Sequence, residues 1–255
     1  MVCLVCGNPD TIEAHIVPRA LYRMLAGDQQ HAYEGSRFRE GVKHQAKGLF
    51  DRSILCREHE AMLGKADAYG IRFLREFASE GASELNGKKW VIPNPQPDLL
   101  VRFVAACIWR RGVSSVAREG ADLDLGLAEP KLRRLLFGGC GNYDPPLFLQ
   151  RRQLVSQGQV LEGVMWLPGK AWGFGENTWS FFAFGCEFFM KLNPYSHPAF
   201  HPHFVANRRD PANCIDRGWG EISKVEGMVE IGANMLRSGR HTRRHRQGIE
   251  GGSDG

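Results

Sequence analysis

Residues 1–22 read MVCLVCGNPDTIEAHIVPRALY, and residues 53–60 read SILCREHE. Cys3 and Cys6 are separated by two residues, and so are Cys56 and His59. A tight turn between two such donors lets both reach one tetrahedral ion, and a structural zinc site needs four donors. Either pair alone is a common coincidence. Together they supply three sulfurs and one imidazole nitrogen, a set that zinc accepts readily. The spacing predicts that Cys3, Cys6, Cys56 and His59 hold a structural Zn²⁺. The competing reading, buried thiols with no metal, leaves the matched spacing unexplained.

Between the two pairs lies EAHIVPR, residues 13–19, and Asp51 stands five residues before Cys56. This arrangement resembles the HNH, or ββα-metal, endonuclease family in the N-terminal part of the chain. That family runs from a C-x2-C pair to a strand ending in His-Ile-x-Pro. An Asn follows five residues before a Leu-Cys, and the second ligand pair opens a helix. His15-Ile16-Val17-Pro18, Asp51 and Leu55-Cys56 match that order. The resemblance implies a phosphodiester-cleaving nuclease, with DNA the favoured substrate and phage defence or a mobile element the setting. It also implies roles: His15 as the general base that deprotonates water, Asp51 as the middle, orienting residue, and a divalent ion, Mg²⁺ or Mn²⁺, on the phosphate. Two positions depart from the pattern. Ala14 stands where a metal ligand is expected, and Glu60 where the helix histidine is expected, if His59 serves zinc. A carboxylate is a hard oxygen ligand, so Glu60 is the candidate for the divalent ion, with Lys65 and Asp67 one to two turns further along to assist. The rival class is a catalytically inactive, zinc-stapled module that docks a partner protein or nucleic acid.

The rest of the chain sets the bounds. Of 255 residues, 43% are hydrophobic, which is enough for a packed core and excludes a wholly disordered chain. The net charge of +5 is compatible with a polyanion partner without requiring one. Seven cysteines are an odd number, scattered after the first pair, and read as reduced thiols and metal ligands. With no signal-like apolar stretch at the start and no run long enough to span a bilayer, the expectation is a cytoplasmic protein with no membrane partner.

The organisation predicted is α+β: an HNH-like zinc-binding module over 1–90, a helical segment with a small antiparallel sheet over 91–236, and a basic disordered tail over 237–255. In the first part, Met62, Ala66, Tyr69, Phe73 and Phe77 form an apolar stripe on one helix. Residues 22–50 read as a long polar loop with one short helix. The prolines of VIPNPQPDLL, residues 91–100, mark the internal boundary, and Asp98 is a candidate N-cap for a helix with Leu100, Val104, Cys107 and Ile108 on one face. A second helix starts near Pro130 and stops at Gly138. LFLQRRQLV, VLEGVMWLP, TWSFFAF and CEFFMKL read as strands. A late helix is expected near residues 225–237.

Other features weigh less. His197, His201 and His203 sit among prolines and read as loop residues, not a metal site. Cys107 and Cys186 read as core thiols, and Cys140 has no flanking base that would make it a nucleophile. The aromatics of residues 179–189 suit a sheet core better than a base-stacking platform. The arginine pairs at 110–111, 133–134 and 151–152 could line a phosphate-binding face or be scattered solvated charge.

Overall fold

The computed structural model of the chain describes residues 1–27, 32–34, 43–45, 47–79, 89–92, 96–116, 123–138, 143–156, 159–160, 164–171, 177–193 and 212–221. The expected late helix, the basic tail, the histidine-rich loop and Cys140 lie outside them. The described part is mixed helix and sheet, as expected for α+β.

After the first cysteine pair, a short strand β1 (Ala14–His15) leads into α1 (Arg19–Ala26), the short helix expected in the polar stretch. A small hairpin, β2 (Ala32–Glu34) and β3 (Lys43–Gln45), follows. The chain then returns along β4 (Phe50–Asp51), antiparallel to β1, with Ala14 opposite Asp51 and His15 opposite Phe50. At the return, Gly48 has a φ of +83°, and a Cβ there would fall 2.2 Å from the Tyr22 ring, so no other residue fits this turn.

Helix α2 (Arg57–Ser79) comes next. Its buried stripe is Leu63, Ala66, Tyr69, Phe73 and Leu74, whereas Met62 is 43% exposed. The stripe thus lies about one residue round from the one expected at Met62. Gly70 explains the close packing of this face: a Cβ there would lie 2.3 Å from the Phe103 ring of the next helix.

Strand β5 (Lys89–Ile92) precedes α3 (Pro97–Val113). Gln96 is the N-cap and Pro97 the first helical residue, so Asp98 is not the cap. It sits in the first turn, where its charge still suits the helix dipole. The expectation of a single apolar face on α3 is also corrected. Leu100, Val101, every residue from Phe103 to Arg110, and Gly112 are buried, so the helix is wrapped by neighbours. A 3-10 turn (Gly126–Ala128) and α4 (Glu129–Phe137) follow, ending at Gly138 as expected. Arg102 donates to the carbonyls of Leu135 and Leu136 at 3.1 and 2.7 Å, satisfying the last turn of α4.

The second half is a seven-stranded sheet ordered β5-β11-β6-β10-β9-β8, with β7 also paired to β6. Its strands are β6 (Leu147–Ser156), β7 (Gln159–Val160), β8 (Met165–Lys170), β9 (Thr178–Ala183), β10 (Cys186–Lys191) and β11 (Ala212–Glu221). The sheet is larger than expected and is not wholly antiparallel, because β11 runs parallel to β6. Strands β9 and β10 turn through Phe184 and Gly185, both at positive φ, the signature of a tight hairpin. Phe181 and Phe188 pack on Phe103 of α3, and Phe188 also meets Phe73 of α2 at 6.2 Å, so both helices lie against the sheet. Cys107 and Cys186 are fully buried, as their surroundings suggested. One contiguous cluster of buried apolar residues runs from Cys3 to Leu192.

Candidate functional site

The first cysteine pair sits on a turn closed by backbone bonds from Cys3 N–H to Asn8 O and from Gly7 N–H to Cys3 O, each 2.8 Å. Leu4 N–H and Ile12 N–H donate to Ile54 O and Leu55 O at 3.0 Å, fastening this turn beside the start of α2. Four donors converge as a result: Cys3, Cys6, Cys56 and His59 have ligand atoms all within 4.8 Å of one another. The Cys6 and Cys56 sulfurs are 3.9 Å apart, and His59 Nδ1 lies 3.8 Å from Cys3 Sγ and 3.2 Å from Cys56 Sγ. A tetrahedral ion that holds sulfur at about 2.3 Å spaces two sulfurs about 3.8 Å apart, so the donor set fits a bound metal. Burial works against charge on the Cys3 thiol, but backbone contacts from Cys6, Val5 and Cys56 outweigh it and favour the thiolate. Behind the site, Phe137 meets His59 edge-on at 5.5 Å, and Trp109 meets Phe137 at 5.2 Å. Arg133 donates to Leu4 O at 3.1 Å, so α4 buttresses both the turn and the ligand helix.

His15 lies at the end of β1, partly exposed, with its Nε2 3.1 Å from the carbonyl of Lys47. A carbonyl only accepts, so Nε2 carries the proton of the neutral ring and Nδ1 keeps its lone pair. Burial and the nearby charges of Arg19 and Arg110 lower the imidazole's affinity for a second proton, against the Lys47 contact and Glu13. Arg19, Lys47 and Arg52 are all exposed in this neighbourhood, and Glu13 is engaged by Arg52.

Asp51 is only 2% exposed, and both of its oxygens are in use. One accepts from Ser53 N–H at 2.8 Å and Ser53 Oγ at 2.5 Å. The other accepts from Ser114 Oγ at 2.7 Å and Ser115 N–H at 3.1 Å. Burial alone would raise this carboxyl's pKa; the hydrogen bonds from Ser53, Ser114 and Ser115 overcome that and hold it below the ordinary value. Asp51 therefore clamps the turn after β4 to the end of α3.

Glu60 and Asp67 stand two turns apart on α2 and converge on Arg110 of α3. Arg110 Nη2 is 2.8 Å from Asp67 Oδ2 and 3.3 Å from Glu60 Oε1, and its Nη1 is 3.3 Å from Asp67 Oδ1. The guanidinium is fully buried; burial opposes its charge, and the two carboxylates more than restore it. Burial raises the pKa of the Glu60 carboxyl against the pull of Arg110.

Among the described residues, the positions expected to hold a divalent ion are otherwise engaged or lack a donor. Ala14 is fully buried and has no donor atom. His59 belongs to the sulfur cluster, and both Asp67 oxygens are held by Arg110. Glu60 Oε2 has no hydrogen-bond partner and is buried, with less than 1 Å² accessible. The pairing of Glu60, the residue expected to hold Mg²⁺ or Mn²⁺, with Arg110 is a contact that sequence reasoning missed. The only hint was that Arg110 lies in an apolar run.

The arginine pairs do not make a common exposed face either, because Arg110 and Arg151 are both buried. Among the described residues no helix is long and apolar enough to cross a membrane. Comparison of the chain with protein-family models, characterised proteins and solved structures finds no match.

Proposed function

We propose that this chain is a zinc-stapled, HNH-like hydrolase of nucleic-acid phosphodiesters, DNA first among them, with His15 as its general base. The observation that carries the reading is the state of His15. Its Nε2 lies 3.1 Å from the Lys47 carbonyl, burial favours the neutral ring, and with Nε2–H on that carbonyl Nδ1 is the nitrogen that can accept a proton. In this reading Nδ1 takes a proton from water as the new O–P bond forms and the ester P–O bond breaks. The leaving oxygen then takes a proton from solvent. Arg19, Lys47 and Arg52 favour the approach of a phosphate and oppose the charge that builds on it. Asp51 has the orienting role: it sets the turn that carries the chain from β4 into the zinc ligands. Zinc bound by Cys3, Cys6, Cys56 and His59 contributes folding energy and does no chemistry on the substrate.

The order β1, β4, α2, with the metal cluster joining the first turn to the helix start, supports the HNH-like assignment. A second reading is favoured by Ala14 and by the pairing of Glu60 with Arg110: a non-catalytic module that binds nucleic acid or a protein through the same basic surface. Cleavage of plasmid DNA by wild type and His15→Ala separates the two. Loss of cleavage with binding intact supports the hydrolase, while equal cleavage by both proteins removes His15 from the mechanism.

A further inference from the structure

We propose that Arg110 is an internal cation that stands in the place of the divalent ion of an HNH-type site, so that this chain neither binds nor needs Mg²⁺ or Mn²⁺ there. What that place is rests on the HNH-like reading; the pairing that fills it does not.

Glu60 and Asp67 project from the same face of α2, and a single positive group sits between them. A solvated ion would need several oxygen ligands around it, and Mg²⁺ in particular keeps most of its waters. Among the described residues, no further oxygen ligand is seen beside the pair, and Ala14, at the strand position expected to supply one, is buried and has no donor. A guanidinium needs no waters. Its planar fork fits one carboxylate with two parallel bonds, as seen on Asp67, and reaches a second carboxylate with the same terminal nitrogen, as seen on Glu60.

A buried cation persists only when paired, and here the two carboxylates provide the pairing on the helix that also carries His59. A divalent ion would have to displace a guanidinium that is covalently present at all times. The charge of Arg110 is also felt at His15, where it favours the neutral ring.

The test uses the full chain loaded with zinc, and Mn²⁺ alone as probe, read by electron paramagnetic resonance. Wild type is expected to bind no Mn²⁺ that Glu60→Gln removes. Arg110→Met, which frees two facing carboxylates, is expected to bind Mn²⁺ more tightly than wild type by roughly tenfold or more, and Asp67→Asn in that background should abolish the gain. Saturable Mn²⁺ binding by wild type that is lost in Glu60→Gln overturns the proposal. So does a folded Arg110→Met protein with no added affinity. If Arg110→Met does not fold, the comparison of wild type with Glu60→Gln decides by itself, since neither removes the cation. DNA cleavage that persists in a chelator, with zinc still present by metal analysis, supports the proposal, and cleavage strictly dependent on added Mg²⁺ or Mn²⁺ overturns it. An absence of any cleavage counts against the hydrolase reading alone, because the Mn²⁺ measurement reads the pairing directly.

Discussion

The Asp51 carboxylate on β4 accepts the hydroxyl of Ser114, the residue that ends α3, at 2.7 Å across 63 residues of sequence. Both side chains are buried. The bond ties the strand opposite His15 to the helix that carries Arg110, so the region around the proposed base is held by the second half of the chain as well as by the metal cluster.

Removing this clamp should be costly. Asp51→Ala removes the carboxylate that accepts hydrogen bonds from Ser53, Ser114 and Ser115, and a loss of about 3 kcal/mol in urea unfolding is expected. The pH dependence has a definite sign. The folded-state pKa of Asp51 is depressed, so its contribution is fully present above the ordinary carboxylate range and is lost as pH falls through the folded value. Asp51→Asn should flatten that part of the acid unfolding curve. An unchanged curve would show that the charge at Asp51 does not matter to the fold.

The metal cluster predicts about one zinc per chain by elemental analysis of purified protein. Cys56→Ser should lose the metal and lower the melting temperature, because formation of such a site is coupled to folding. Release should occur on acidification, since the thiolates must be protonated for the ion to leave. A metal-free chain with the melting temperature of wild type would rule the site out.

For His15, replacement by Ala should reduce cleavage by about 10²–10⁴-fold while zinc content and melting temperature stay the same. A general base acts in its neutral form. Because the pKa of His15 lies below that of an ordinary imidazole, activity should rise with pH to a midpoint under about 6.5 and be level at neutral pH. A midpoint on the alkaline side would point to a different base.

Two glycines of α2 make a matched pair. Gly70→Ala places a methyl 2.3 Å from the Phe103 ring and should destabilise by about 1–3 kcal/mol as α2 and α3 are forced apart. Gly64→Ala meets nothing within 4 Å and should stabilise by about 0.5–1 kcal/mol through helix propensity alone. Equal effects in thermal unfolding would contradict the close approach of the two helices.

The sequence by itself determined what is local. Two donors separated by two residues sit on one turn whatever the rest of the chain does, so Cys3, Cys6, Cys56 and His59 could be named from spacing. Apolar periodicity placed α2, and Pro130 with Gly138 bounded α4, because propensity and capping act within a few residues. The hairpin strands around Phe184 and Gly185 were legible for the same reason. Tertiary structure alone decided what Arg110, Asp51 and Gly70 do. Arg110 reads in sequence as half of an arginine pair, and only the crossing of α2 and α3 buries it between Glu60 and Asp67. Asp51 reads as a member of the site, and its serine partners lie beyond the end of another helix. The parallel pairing of β6 with β11 has no local signature at all, since it joins strands far apart in the chain. In each case the deciding energy comes from groups brought together only when the chain is packed. A buried charge selects its partner by which opposite charge shares its low-dielectric surroundings, and sequence spacing carries no record of that.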